Sequence, residues 1–129
     1  MNIDTSVQIG SITLGAPVMM ASGTAGYGTE LAPFVDLSAL GAIVTKSLAP
    51  YEWAGNPAPR LHPTPQGMMN AVGLQGPGIE YWLDKVLPAL IDTGATVICS
   101  IWGQSLEDYR LAAEMLADAP PEVVAVEVN

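Results

Sequence analysis

Four apolar runs of this sequence are each accompanied by residues that could bind a polar ligand. Ser22 ends the first run, Lys46 and Ser47 follow the second, Ser100 lies near the end of the third, and Asn129 ends the fourth. Serine and asparagine offer hydrogen-bond donors and acceptors, and lysine, which is costly to bury unpaired, supplies a cation. If the runs are neighbouring parallel strands, these side chains form one polar rim at their carboxyl ends.

Lys46 is the most informative member of this set. It is one of only four basic residues in the chain, and the six residues before it, 40–45, carry no charge. Gly23 and Gly26 would let backbone amides approach a ligand beside it. The alternative is that the Ser-Gly and Lys-Ser pairs only mark turns, and spacing alone leaves both interpretations open.

A second candidate segment, QGMMNAVGLQGPG, covers residues 66–78. The Asn70 side chain has both a strong donor and a strong acceptor, and it lies among glycine and methionine residues. The segment could wrap a planar polar molecule, with Met68 and Met69 packing below it. It could equally be a surface Ω-loop whose asparagine bonds its own backbone.

Strand and helix patterns alternate along the chain and would position these residues. A hairpin is predicted at 6–14, buried strands at 16–23, 42–45, 96–101 and 123–128, and helices at 30–40, after Gly78 and after Ser105. Pro88 should kink or split the second helix. Ser105 and Asp108 match a variant capping box for the third, whose predicted buried stripe is Leu106, Tyr109, Ala113 and Leu116. A long proline-rich loop is predicted over 48–78.

Four apolar strands alternating with three helices indicate an α/β fold with a parallel sheet. A doubly wound open sheet is one solution, and the N-terminal half of a (β/α)8 TIM barrel is the other. A complete barrel needs about 250 residues. The barrel interpretation therefore predicts that residues 1–129 are the N-terminal portion of a single larger domain, truncated after strand 4.

Composition excludes several classes of function. Thirteen Asp and Glu against four Lys and Arg give a formal charge of −9, which opposes nucleic-acid binding. No stretch is apolar enough to span a bilayer, and neither a secretion signal nor a metal motif is visible. The absence of a GxGxxG motif gives no support for a Rossmann-type site. A single cysteine, Cys99, suits a reducing cytoplasm and is expected to be a core residue.

Taken in order, PVMMASGTAGYG, LGAIVTKSL, GNPAPRL, GMMNAVGLQGPG and the closing VEVN resemble the N-terminal part of class 1 dihydroorotate dehydrogenases, most closely the B type. The resemblance covers essentially the whole chain. It implies an FMN-dependent barrel that oxidises dihydroorotate to orotate in pyrimidine biosynthesis. It also implies a homo-oligomer with a second subunit that carries FAD and a 2Fe–2S cluster and passes electrons to NAD.

The resemblance also implies roles for individual residues. FMN contacts would come from Ser22, Lys46, Ser47, Ser100 and Asn129. Substrate contacts would come from Lys46, Asn70, Ala71, Val72, Gly73, Leu74 and Asn129. The family's catalytic base is a cysteine shortly after this asparagine, so Cys99 does not inherit that role and the chain alone is expected to be inactive.

The third strand departs from the family pattern, because Ser100 stands where an asparagine is usual. Serine is shorter and lacks the two-ended hydrogen bonding of an amide, so its flavin contact would need a replacement such as a water. Two other functions stay open at this stage. One is a flavin-free half-barrel that serves as a binding module, and the other is a related flavin domain like that of dihydropyrimidine dehydrogenase.

Overall fold

A parallel four-stranded sheet is the centre of the protein in the computed structural model, which describes residues 3–129. Its strands are, in their spatial order, β3 (Met19–Met20), β4 (Ala42–Val44), β7 (Val97–Ile101) and β8 (Val123–Val128). Each strand pairs in parallel with its neighbour. The predicted parallel α/β architecture is confirmed for this part of the chain.

The two central strands are buried, and residues of the helices pack against them in the core. Every residue of β4 is buried, and β7 is buried at four of its five positions. Trp82, Leu87 and Leu90, all fully or almost fully buried, pack with Ile43 and Val97 in the core cluster. Burial of each large side chain of this kind contributes roughly 1.5–3 kcal/mol. This core fixes the strand ends on which the candidate site lies.

The helical segment after Gly78 is interrupted before Pro88, as predicted. It consists of α1 (Ile79–Tyr81), a π-helical turn (Trp82–Val86) and α2 (Leu87–Ile91). Proline has no N–H to donate to the carbonyl four residues earlier, and its ring crowds that carbonyl. The backbone N–H of Leu87 instead bonds the carbonyl of Trp82, five residues back. The wider turn therefore lets the chain pass the proline without leaving the helix.

The last helix, α3 (Leu106–Met115), begins at the predicted capping box. The Ser105 side chain accepts from the Asp108 N–H, and the Asp108 carboxylate accepts from the Ser105 N–H. The predicted buried stripe is partly wrong, because Leu106 is 87% exposed and Ala113 is also exposed. Leu116 is buried and Tyr109 packs against the core, as predicted, and Ala112 is buried in place of Ala113.

The predicted helix over 30–40 is wrong. Two short 3-10 turns occupy that stretch, Thr29–Leu31 and Leu37–Ala39. Pro33 cannot donate to the carbonyl of Thr29, which accepts from Ala32 instead. Asp36 then accepts from the Ser38 N–H and starts a separate turn. The proline and this local cap together prevent a continuous helix.

The predicted loop over 48–78 contains an antiparallel hairpin, so it is not structureless. Its strands are β5 (Leu61–Thr64) and β6 (Gly67–Asn70), joined through Pro65 and Gln66. Both strands are exposed at every residue, including Met68 and Met69. The N-terminal hairpin, β1 (Val7–Ile9) and β2 (Ile12–Leu14), is confirmed.

The first predicted buried strand is shorter and more exposed than expected. β3 has two residues, and Met19 and the preceding Val18 are exposed because this strand lies at the edge of the sheet. Val126 and Val128 are exposed on the opposite edge strand. Across residues 3–129, no helix is long and apolar enough to cross a membrane.

Candidate functional site

Four of the predicted site residues form one hydrogen-bonded cluster. The Asn129 side-chain amide donates to Ser47 Oγ at 2.8 Å. Ser47 Oγ lies 3.0 Å from Ser100 Oγ, and the Ser22 hydroxyl approaches the same Ser100 oxygen at 3.5 Å. The structure thus brings together side chains that lie up to 107 positions apart, from Ser22 to Asn129. We call Ser22, Ser47, Ser100 and Asn129, with Glu127 described below, the rim cluster.

Strand pairing explains why these residues meet. The Leu48 N–H donates to the carbonyl of Ser100, which places the end of β4 beside the end of β7. The Asn129 N–H donates to the carbonyl of Ile101 at 3.0 Å, and the hydroxyl of Tyr109 bonds the Asn129 carbonyl. The backbone of Asn129 is therefore held on both sides. The cluster lies at the carboxyl ends of the parallel strands, the ligand side in this class of fold.

Glu127 is a member of the cluster that the sequence analysis missed. Ser100 pairs with Glu127 in the parallel register, and the Ser100 hydroxyl donates to Glu127 Oε1 at 2.7 Å. One feature of the sequence could have identified it: Glu127 is the only charged residue in the otherwise apolar run Val123–Val128. The reasoning that singled out Lys46 applies equally to this position.

The buried part of the cluster is fully paired. Ser47 and Ser100 are almost completely buried, and Thr45, also buried, accepts from the Ser100 N–H at 3.0 Å. Buried polar groups are costly unless they are hydrogen-bonded. The rim cluster is therefore a defined arrangement of donors and acceptors.

Within residues 3–129, the Lys46 side chain makes no hydrogen bond to the rim cluster. Its ammonium donates to the Tyr27 hydroxyl at 3.1 Å and to the Gln75 carbonyl, and it lies 5.2 Å from the centroid of the Tyr27 ring. Burial, together with the nearby positive charge of Arg60, lowers the pKa of Lys46 below its usual value of 10.5. These contacts lie along a cavity of about 570 Å³ that also borders Glu30, Glu52 and Trp53.

Tyr27 and Gln75 are further residues that the sequence analysis missed. The Tyr27 hydroxyl donates to the Gln75 carbonyl at 2.5 Å, and the Trp82 indole donates to the Tyr27 carbonyl at 2.9 Å. Burial, with a smaller contribution from Glu30, raises the pKa of Tyr27 to about 12. Tyr27 therefore stays a neutral hydrogen-bonding group beside Lys46 at physiological pH. A lone tyrosine between glycines gives no sequence pattern that would have revealed this.

The predicted substrate segment 70–74 is only partly close to Lys46. Asn70 is exposed, and its Oδ1 accepts from the Val72 N–H at 3.5 Å, as the Ω-loop alternative anticipated. With Ala71 it borders a separate cavity of about 250 Å³. Gly73 accepts from the Trp53 indole at 2.9 Å, and Leu74 adopts a left-handed φ of 57°. Gln75, the next residue, is the one that contacts Lys46.

Other reactive residue types do not form a site in the part of the chain described. Cys99 is buried, and burial raises the pKa of its thiol to about 12. A thiol of this kind is inert, because the thiolate is the nucleophile. His62 lies on the exposed strand β5. Within residues 3–129 no group of three or more His, Cys, Asp or Glu could hold a metal ion.

Comparison with known proteins shows the family. The family profile described as dihydroorotate dehydrogenase matches residues 5–129. The catalytic subunit of dihydroorotate dehydrogenase B (NAD(+)) from Geobacter sulfurreducens is 50% identical over 126 residues, covering 98% of this chain and 41% of the relative. The corresponding subunit from Desulforudis audaxviator is 46% identical over 130 residues, covering 100% of this chain and 42% of the relative.

A solved structure agrees in fold. The dihydroorotate dehydrogenase of Eimeria tenella, crystallised with ferulenol, superposes with a TM-score of 0.64 at 18% identity, covering 98% of this chain and 36% of that protein. This chain thus spans about two fifths of the length of the curated relatives it matches. Its parallel sheet is the N-terminal half of the barrel that the sequence predicted. The chain belongs to the dihydroorotate dehydrogenase family.

Proposed function

We propose that residues 1–129 form the N-terminal portion of a single barrel domain that oxidises dihydroorotate to orotate in pyrimidine biosynthesis. The observation that supports this most is the rim cluster. In a chain of this family it gathers hydroxyl, amide and carboxylate groups at the carboxyl ends of parallel strands. This side of the sheet is where such folds bind their ligands.

The donor set of the site fits a flavin. Members of this family depend on a flavin, and we propose FMN specifically. The flavin ring presents several acceptor atoms and one N–H. We propose that it contacts Ser22, Ser47, Ser100 and Asn129, and that Asn129 supplies the matching groups, namely its Oδ1 and the Nδ2–H that does not bond Ser47. FMN, when bound, accepts the hydride that dihydroorotate loses. Lys46 would supply a positive charge close to the ring, where it stabilises negative charge.

Substrate binding is assigned to Lys46, Asn129 and the segment from Asn70 to Leu74. Orotate and dihydroorotate carry a carboxylate, which a lysine ammonium binds through a charge-assisted hydrogen bond. Lys46 already donates to two neutral oxygens, those of Tyr27 and Gln75. Its third N–H would donate a hydrogen bond to an anionic ligand. Ala71, Val72, Gly73 and Leu74 would line the site.

The oxidation also needs a base that removes a proton from dihydroorotate, and we propose that this base lies outside residues 1–129. Cys99 is unsuited to the task because it is buried with a raised pKa. We therefore propose that the 129-residue chain alone does not turn over dihydroorotate.

The names of the relatives support a partner subunit. They are called catalytic subunits of an NAD(+)-dependent enzyme, which implies a second subunit that transfers electrons. We propose such a subunit here, carrying FAD and a 2Fe–2S cluster, together with homo-oligomerisation of the catalytic chain. A cytoplasmic location stays a prediction from the sequence.

The test is to express the complete coding region that contains this chain and to purify the protein. We expect a yellow protein whose flavin absorbance is bleached anaerobically by dihydroorotate. A Glu80→Gln variant, altered at an exposed residue of α1, should behave like the wild type. A folded protein that binds no FMN would contradict the proposal. Reduction of uracil in place of oxidation of dihydroorotate would indicate a dihydropyrimidine dehydrogenase-like activity.

A further inference from the structure

The hydrogen bonds of the rim cluster have a direction, and Glu127 sets it. An ionised carboxylate only accepts hydrogen bonds. The single hydroxyl proton of Ser100 is therefore given to Glu127 Oε1, 2.7 Å away. Ser100 Oγ is left with two acceptor positions, and the two other hydroxyls beside it are those of Ser47 at 3.0 Å and Ser22 at 3.5 Å.

The direction continues to Asn129. Because Ser100 has no second proton, Ser47 must donate its own proton to Ser100 for the 3.0 Å contact to be a hydrogen bond. Ser47 Oγ can then only accept from Asn129, and the amide group that meets it is Nδ2, at 2.8 Å. If the Asn129 amide were reversed, its Oδ1 would face Ser47 Oγ. Ser47 already donates its proton to Ser100, so the two oxygens could not form a hydrogen bond.

We propose that Glu127 is a positioning residue that fixes the amide orientation of Asn129 through Ser100 and Ser47. Nδ2 is held towards the cluster, and Oδ1 remains free to accept an N–H from a bound ring. Among residues 3–129, Oδ1 makes no hydrogen bond in the structure, and the Asn129 backbone is held by Ile101 and Tyr109. The ligand class is a flat ring with an imide or amide N–H, and this identification rests on the proposed function.

A reversal of the direction provides the test. In Asn129→Asp, a carboxylate oxygen replaces Nδ2 and meets Ser47 Oγ, so the bond to Ser47 is lost. In Glu127→Gln, the new amide can donate to Ser100. The Ser100 hydroxyl can then donate to Ser47, and the Ser47 hydroxyl can donate to the residue at position 129. The double variant therefore restores the three bonds that link positions 127, 100, 47 and 129, each with its direction reversed, and Ser22 still donates to Ser100. The second carboxylate oxygen at position 129 still accepts from the ligand, as Oδ1 does in the wild type.

The experiment is a double-mutant cycle of Asn129→Asp and Glu127→Gln in the complete FMN-loaded protein. Orotate is the probe, and its dissociation constant is measured from the change in flavin absorbance. Each single variant should bind orotate more weakly. The double variant should bind about tenfold more tightly than the product of the single effects predicts, which corresponds to about 1.4 kcal/mol of coupling.

Two controls separate hydrogen-bond direction from charge. Glu127→Gln also removes a negative charge, which could by itself relieve the added charge of Asn129→Asp. Repeating the cycle in a Ser100→Ala background breaks the hydrogen-bonded link but keeps the charges, so the coupling should fall to within about twofold of additivity. Glu80→Gln removes the same charge at an exposed position, and it should not restore the orotate affinity of Asn129→Asp.

Additive effects in the first cycle, or coupling that persists with Ser100→Ala, would overturn the inference. The same cycle is measured on the free energy of unfolding of the FMN-free protein, where the restored bonds should give coupling of the same sign. This second measurement does not depend on the ligand. A wild-type protein that binds neither FMN nor orotate would contradict the proposed function alone, whereas additive unfolding energies would contradict the role of Glu127.

Discussion

Replacing Lys46 with methionine should impair ligand binding far more than folding. The change removes the ammonium and keeps a flexible apolar chain of similar length. In the structure the Gln75 carbonyl accepts from two donors, Lys46 Nζ and the Tyr27 hydroxyl, the latter at 2.5 Å. Without the lysine, that carbonyl keeps its bond to Tyr27. The Gln75 carbonyl therefore stays paired when the ammonium is removed, and the Tyr27 hydroxyl loses one donor but keeps the bond that it donates.

The magnitudes follow from these contacts. Burial disfavours the charged form of Lys46, as its lowered pKa indicates, so the loss of its hydrogen bonds is offset by relief from desolvation. We expect the free energy of unfolding to change by no more than about 1 kcal/mol. A hydrogen bond from a charged group to the orotate carboxylate is worth about 1.5–3 kcal/mol. Its loss should weaken orotate binding by about 10- to 150-fold.

The assay is an orotate titration of the complete FMN-loaded protein, with urea unfolding of the same preparations. Lys85→Met is the matched control, because Lys85 is exposed and forms a surface ion pair with Asp84. Equal orotate affinity in Lys46→Met and the wild type would refute the assignment of Lys46 to the ligand site. A loss of stability well above about 1 kcal/mol would show that Tyr27 does not keep Gln75 paired.

The lowered pKa of Lys46 also predicts how orotate affinity changes with pH. Because the pKa of Lys46 is lowered, its ammonium is lost at a lower pH in the folded protein than in the unfolded chain. Orotate affinity should fall as the pH rises through this lowered pKa, and Lys46→Met should abolish that fall. In the ligand-free protein the unfavourable charge is present below the lowered pKa and is relieved above it. The contribution of Lys46 to stability should therefore improve between that pKa and 10.5.

Three further predictions concern the scaffold. Ser105→Ala removes the N-cap of α3 and should lower the free energy of unfolding by about 1 kcal/mol in urea titrations. Gly41→Ala would place a Cβ in steric conflict with the Ala16 carbonyl oxygen and should cost more than about 2 kcal/mol, whereas Gly15→Ala, with open space around it, should fold normally. Burial raises the pKa of Cys99 to about 12, so its thiol should resist thiol reagents at about pH 8 until urea unfolds the protein. The contribution of Cys99 to stability should be lost as the pH rises from about 9 to 12.

The sequence was sufficient to predict which strand ends meet. Apolar runs separated by helical segments indicate parallel strands, and the carboxyl ends of such strands share one edge of the sheet. Ser47, Ser100 and Asn129 were placed together on that basis, and the structure joins them by hydrogen bonds. The helix at 30–40 could not be excluded from apolar spacing alone, because Pro33 and the Asp36 cap act through single backbone bonds.

The direction of each side chain was harder to predict than its position. Lys46 and Ser47 are consecutive, and successive side chains of an extended chain point to opposite sides. Accordingly, the Ser47 side chain lies in the rim cluster, and the Lys46 side chain contacts Tyr27 and Gln75. The partners of Lys46 come from two distant loops, whose approach depends on tertiary packing and leaves no local pattern in the sequence.

The same alternation accounts for Glu127 and shows what could have been inferred. Residues 127 and 129 are two apart, so along an extended strand they point to the same side, while Val126 and Val128 point to the other. Once Asn129 is assigned to the ligand side, the only charge in Val123–Val128 must lie on that side as well. A carboxylate there needs a donor, and its partner in the parallel register is Ser100. Ser100 stands where the sequence resemblance implies an asparagine, and its hydroxyl donates to Glu127 while it can accept from Ser47, as an amide would.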